Sequence, residues 1–308
     1  MKIKFLRILI IGNGSIGNRH KKIFKSIGLK TLLISSKDFF LDKVKINFKD
    51  FDVKNTIYFI CNNTNLHFKT LQKIAKQNMS IFVEKPIIHK LIDLKKIKEL
   101  IKKFNLKVVG GYVLRHDPRI IKLKEIIKKE KKNVLMASFN LQTYMPHWHK
   151  NENYKNRYLN KRKLGGGVLL TCCHEIDLAI YLFGEVASVY SKKINSNLKN
   201  DVENSVILIL THKNGIVSLL NLDFSNKIQF QRTLEVKTKK NIFIWDVNKN
   251  YLLKKKEDTI DKKIKFKNIK NLNNAFQNQS LSVLKNKNNF KYLLKSEELI
   301  FKAKTSLK

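Results

Sequence analysis

Gly12-Asn13-Gly14-Ser15-Ile16-Gly17 stands directly after the short apolar run Arg7-Ile8-Leu9-Ile10-Ile11 and opens a helical pattern. No other feature constrains the chain as much. Gly12 permits a tight turn, Gly14 lets the backbone approach a pyrophosphate, and Gly17 lets a helix pack closely on a strand. The amides and the positive dipole end of that helix favour an anion. Residues 12–17, with Asn13, Ser15 and Ile16 between the glycines, are therefore read as the cradle of a dinucleotide.

The pattern around the turn fits. Ile16, His20, Ile23, Phe24 and Ile27 recur at helical spacing, and Gly28 closes the segment. Strands are expected at 7–11, 31–35, 56–61, 80–83 and 108–113. Helices are expected between them, one carrying Leu66, Leu71 and Ile74 and another Leu94, Ile97 and Ile101. Strand–helix alternation implies a parallel sheet with right-handed crossovers, a Rossmann-type α/β domain over 1–117.

After Pro118 the pattern changes. A helix over about 119–130 and a strand over 134–143 lead into an aromatic, polar loop, then to a helix after Gly165-Gly166-Gly167. Runs at 205–211 and 216–224 flank Lys213-Asn214-Gly215, a hairpin signal. Further strands near 232–254 and a last helix over 293–307 complete an α+β domain, 118–308, on a mostly antiparallel open sheet. The lysine- and asparagine-rich stretch 255–272 gives no pattern.

The end of the second strand carries the ribose contacts in such a fold. It reads Ser35-Ser36-Lys37, hydroxyls and a cation with Asp38 a residue late, so NADP is expected over NAD.

Three more segments, in order and at matching spacing, resemble the Gfo/Idh/MocA family of sugar and cyclitol dehydrogenases. They are Cys61-Asn62-Asn63-Thr64-Asn65-Leu66-His67, Val83-Glu84-Lys85-Pro86, and the glycine run 165–167 leading to His174-Glu175-Ile176-Asp177. The resemblance covers nearly the whole chain. It implies that Cys61, Asn62, Asn63 and His67 line the nicotinamide, that Glu84 lies beside it, and that Lys85 binds the reacting hydroxyl. Hydride transfer between alcohol and ketone needs a group that handles the hydroxyl proton, and Lys85 and His174 are the candidates. Asp177, one helical turn from His174, together with Tyr112, Arg115, Trp148 and Arg157, is expected to hold a sugar-like substrate. The resemblance also implies a homodimer or homotetramer packed through the open sheet. The loop before the glycine run is similar to a subgroup encoded among surface-glycan genes. The chain departs from its relatives at Thr171, where most carry an aspartate. A non-catalytic dinucleotide-binding regulator is the alternative that this departure supports.

Charge raises a rival reading. The chain carries +39, yet only seven of its 63 basic residues are arginine. Lysines spread over helix faces lack the planar fork that reads phosphate and bases, so nucleic acid is not expected as a partner. His147 and His149 lack nearby carboxylate or cysteine partners, and no metal is expected. Cys61, Cys172 and Cys173 form no disulfide framework, and no apolar run is long enough to span a membrane. A cytoplasmic protein is expected.

Overall fold

The structure is a computed structural model that describes residues 6–42, 51, 55–147, 157–227, 230–257, 260–267, 269, 271–285 and 290–307. The chain divides into two compact units: Met1–Tyr112 with Phe276–Glu297, and Val113–Ala275 with Glu298–Lys308.

The first unit is built on β1 (Arg7–Ile11), β2 (Lys30–Ile34), β3 (Thr56–Ile60), β4 (Ser80–Val83) and β5 (Lys107–Gly110). All pair in parallel in the order β2-β1-β3-β4-β5. β1 and β3 are buried almost throughout, as parallel strands with two covered faces require. Helices α1 (Ser15–Ser26), α2 (Ser36–Phe40), α3 (His67–Ile74) and α4 (Ile92–Lys103) connect the strands. The fifth strand ends at Gly110, earlier than expected, and Val113–His116 is a 3₁₀ turn.

The second unit carries an eight-stranded sheet. Its strands are β6 (Val134–Gln142), β7 (Val186–Ile194), β8 (Ser205–His212), β9 (Val217–Asp223), β10 (Gln231–Thr238), β11 (Asn241–Asp246), β12 (Tyr251–Lys256) and β13 (Lys262–Lys265). They run in the order β13-β12-β11-β10-β6-β9-β8-β7. Only the β6–β9 pairing among them is parallel. α5 (Pro118–Lys129) starts this unit. Asp117 caps it, accepting from the Arg119 amide at 2.8 Å, and proline takes the first helical position. α6 (Val168–Thr171) and α7 (Cys173–Phe183) follow the glycine run, and α7 is buried nearly end to end.

A single boundary after residue 117 does not describe this division. α8 (Asn273–Leu284) and α9 (Phe290–Thr305) each begin in one unit and finish in the other. The physical cause is packing. Val283 and Leu284 join Leu6, Ile8, Phe24 and Phe59 in the first unit's core. Leu293 fills the space that a side chain at Gly110 would need.

Candidate active site

In the first unit the glycine turn has the geometry that its composition demands. Gly12 has φ +113°, and a Cβ there would fall 2.4 Å from the Asn62 amide nitrogen. A Cβ on Gly17 would fall 1.9 Å from the Gly12 carbonyl oxygen. Both glycines are therefore required by the protein itself. Gly14 differs: its Cβ would meet no atom within 4 Å. The space beside Gly14 is thus open, at the N-terminus of a twelve-residue helix whose first amides favour an anion. Asn18 ties the turn down, donating from Nδ2 to the Asn13 carbonyl at 2.6 Å and the Gly14 carbonyl at 3.1 Å. Ser15 is exposed, and Ile16 packs against the sheet core.

Past β2, Ser35 caps α2. Its hydroxyl donates to Asp38 Oδ2 at 2.6 Å and accepts from the Asp38 amide at 3.1 Å. The cap brings a carboxylate back to the strand end, which the linear order Ser35-Ser36-Lys37 conceals. Lys37 itself is exposed.

The loop after β3 closes on the E-K-P segment. Cys61 is buried against Gly12, and Asn62 Nδ2 donates to Thr70 Oγ1 at 2.7 Å. Asn63 starts a short 3₁₀ turn that hands on to α3. His67 places Nδ1 2.9 Å from the Pro86 carbonyl oxygen and Nε2 2.9 Å from that of Asn62. Burial pushes its pKa down, against the pull of those carbonyls and of Glu84. Glu84 is buried beside Gly111, whose missing side chain leaves room for its carboxylate, and Oε2 accepts from the Lys85 amide at 3.1 Å. The Lys85–Pro86 bond is cis. The Ile87 amide donates to Glu297 Oε1 at 2.9 Å, and the Tyr112 hydroxyl donates to the same oxygen at 2.8 Å. Lys85, itself half-buried, thus projects from a backbone held on both sides.

Glu297 escaped the sequence reading. It lies more than 200 residues from the motif it supports, inside a lysine-rich helix where a glutamate looks like a surface residue. Tyr112, expected to bind substrate, is buried with its hydroxyl on Glu297.

In the second unit Arg115 and Asp177 meet. Arg115 Nε donates to Asp177 Oδ2 at 2.7 Å and Nη2 to Oδ1 at 2.5 Å, both side chains being nearly buried. Asp177 thus holds Arg115, another of the residues expected to meet the substrate. Arg115 and Lys124 both lie over the Tyr181 ring, at 5.1 Å and 3.3 Å from its centroid. Burial, then the Arg115 charge, lowers the Lys124 pKa to about 8, with Asp177 acting the other way. His174, Thr171 and Arg157 are buried. Trp148 and His149 lie outside the described residues. Glu175, next to His174, pairs with Arg232 Nε at 2.7 Å. Glu203 packs on the glycine run: a Cβ on Gly167 would fall 2.2 Å from its Oε1. Among the described residues no three His, Cys, Asp or Glu side chains gather to hold a metal. No single helix among them is long and apolar enough to cross a membrane.

These features match known proteins along the chain. A family model described as an oxidoreductase family with an NAD-binding Rossmann fold matches residues 42–112. The model of the GFO/IDH/MocA C-terminal domain matches residues 122–243. Myo-inositol 2-dehydrogenase of Thermotoga maritima is 26% identical over 240 residues, which cover 70% of this chain and 68% of that protein. The crystal structure of an inositol dehydrogenase homolog from Azotobacter vinelandii, complexed with NAD+, superposes with a TM-score of 0.80 at 11% identity. It covers 98% of this chain and 95% of that one. The WlbA dehydrogenase of Bordetella pertussis, in complex with NADH and UDP-GlcNAcA, gives 0.76 at 15% identity, with coverage of 98% and 95%.

Proposed function

The chain belongs to the GFO/IDH/MocA family of oxidoreductases, and from that premise we propose that it moves a hydride between a nicotinamide dinucleotide and a hydroxyl-bearing carbon of a sugar, nucleotide sugar or cyclitol. The observation that carries this reading is the backbone lock on Lys85. The Lys85 amide is held by Glu84, the Pro86 carbonyl by His67 and the Ile87 amide by Glu297. A lysine fixed in this way can keep its ammonium on one hydroxyl and take or return that hydroxyl's proton.

The cofactor, when bound, supplies the hydride acceptor or donor. Residues 12–17 would hold its diphosphate through amides at the start of α1. Asn62, Asn63 and Glu84, near the ends of β3 and β4, would face the nicotinamide half. Asp38, drawn to Ser35, would take the ribose hydroxyls and disfavour a 2′-phosphate, so the preference expected from Ser35-Ser36-Lys37 is revised to NAD. Comparing KM for the two dinucleotides tests that choice.

His174 is the second proton-handling group in this reading, and Arg115, Arg157 and Trp148 are the substrate contacts. A surface-glycan role suits the same chemistry. The open sheet face exposes Tyr190 and Ile209, which stand opposite each other on β7 and β8, and a second copy of the chain would cover them.

Lys85→Ala decides the matter. With NAD and myo-inositol or UDP-linked sugar acids as probes, the variant should keep its dinucleotide affinity and lose nearly all turnover. Full turnover in the variant removes Lys85 from the reaction. Dinucleotide binding without turnover in the unaltered protein, across a broad sugar panel, would favour a regulator instead.

A further inference from the structure

His20, on α1 three residues past Gly17, is wholly buried among Phe24, Phe59, Phe82 and Phe276, with ring centroids 5.0–6.4 Å away. Its hydrogen-bond partners point to one tautomer. Ser280 Oγ donates to the Phe276 carbonyl at 2.9 Å, a bond back along its own helix. A hydroxyl has one proton, so toward His20 Nδ1, 3.0 Å away, Ser280 acts as acceptor. His20 therefore carries a proton on Nδ1.

A neutral imidazole would then present a bare lone pair at Nε2. What Nε2 faces is Glu84 Oε1 at 3.6 Å. Neither atom has a hydrogen-bond partner among the described residues. Two bare acceptors buried opposite each other repel and are both desolvated, at a cost of roughly 1–3 kcal/mol for each unsatisfied group. One proton between them turns that arrangement into an ion pair, and 3.6 Å is an ion-pair separation.

We propose that His20 and Glu84 share one buried proton, and that this pair fixes Glu84 so that the Lys85 backbone is held in place, which makes His20 a positioning residue. Glu84 has no freedom to move elsewhere: Oε2 takes the Lys85 amide and the carboxylate lies over Gly111. Its charge reaches two further elements. The Cys61 thiol is pushed up by burial and then by Glu84, and the His67 ring feels the same carboxylate. The helix that opens with the diphosphate turn is thus tied, through one proton, to the strand end that carries Lys85. The positioning half of the proposal rests on the reading of Lys85 given above. The proton half does not.

A double-mutant cycle in thermal unfolding tests the pair. His20→Phe keeps the aromatic packing but leaves Glu84 a buried, unpaired charge. Adding Glu84→Gln removes that charge, so the double variant should melt above His20→Phe alone. A double variant that melts lower, with the two losses adding, overturns the pair. NMR of the unaltered protein, labelled in histidine and glutamate, decides the proton even if His20→Phe fails to fold. Protons on both His20 Nδ1 and Nε2, or one on Nδ1 with one on the Glu84 carboxyl, support the proposal. A neutral ring carrying a single proton, on either nitrogen, opposite an ionised Glu84 overturns it. For positioning, His20→Phe should lose kcat by on the order of tenfold to a hundredfold while its NAD affinity holds. Undiminished kcat would sink the positioning role and leave the proton to the NMR.

Discussion

Asp177 grips Arg115 through both carboxylate oxygens, at 2.7 Å and 2.5 Å, across 62 positions of sequence. The pair is nearly buried, so removing one partner strands the other charge. Asp177→Ala is expected to cost about 3–5 kcal/mol of stability, read as a lower midpoint in urea unfolding. A residue that merely contacted substrate would raise KM and leave the midpoint where it was.

Lys124, like Arg115, lies over the Tyr181 ring, and burial followed by the Arg115 charge lowers its pKa to about 8. Near neutral pH a larger fraction of it is the uncharged amine than for a solvated lysine. Limited treatment with an acylating reagent should label Lys124 ahead of the other lysines, as peptide mapping would show. Arg115→Ala removes a repelling cation and leaves Asp177 nearby, so the pKa should rise and labelling should slow. Equal labelling in both proteins would refute this.

The glycines of the turn separate folding from binding. Gly17→Ala forces a Cβ into the Gly12 carbonyl and should fold poorly or melt many degrees lower. Gly14→Ala meets no protein atom, so its Tm should match the unaltered chain while NAD affinity falls. Isothermal titration alongside a melting curve reads both. Undiminished affinity in Gly14→Ala would move the diphosphate elsewhere.

Acid should destabilise the protein through a histidine buried in neutral form. Burial lowers the pKa of His212 below 6.5. His212 suits the neutral ring, with Nδ1 facing the Gly184 carbonyl and Nε2 the Ser218 hydroxyl. Above about pH 6.5 neither state takes up the proton, and the full stability is present. As pH falls, the unfolded chain binds protons first, so stability drops until the folded pKa is passed. His212→Gln should flatten the Tm-versus-pH curve between about pH 7 and pH 5. An unchanged slope would exonerate His212.

Several elements were legible because local pattern and tertiary role coincide. Ile8 to Ile11 is an apolar run because both faces of β1 are covered, and Asn214-Gly215 closes the β8–β9 hairpin as its residues require. Other elements hide. β7 is an edge strand largely exposed along its length, so Val186–Ile194 shows no clean alternation. α8 buries Gln279 and Ser280 completely, and a helix with polar residues on its inner face has no apolar stripe to read. Asp38 counts as late because a strand-end position is counted along the chain, whereas the Ser35 cap folds it back in space.

Sequence alone determined the chemistry on offer: a glycine turn set directly after an apolar strand run, a lysine between glutamate and proline, and the residue types that such a reaction needs. Those follow from short-range sterics and from bonding capacity, which neighbouring residues already specify. Tertiary structure decided how those groups are employed. Glu297 supports Ile87 and Tyr112, Asp177 pairs with Arg115, and His20 is set against Glu84. Each is a long-range pairing between buried polar groups, and partners of that kind are chosen by which elements pack together, which nearest-neighbour pattern does not encode.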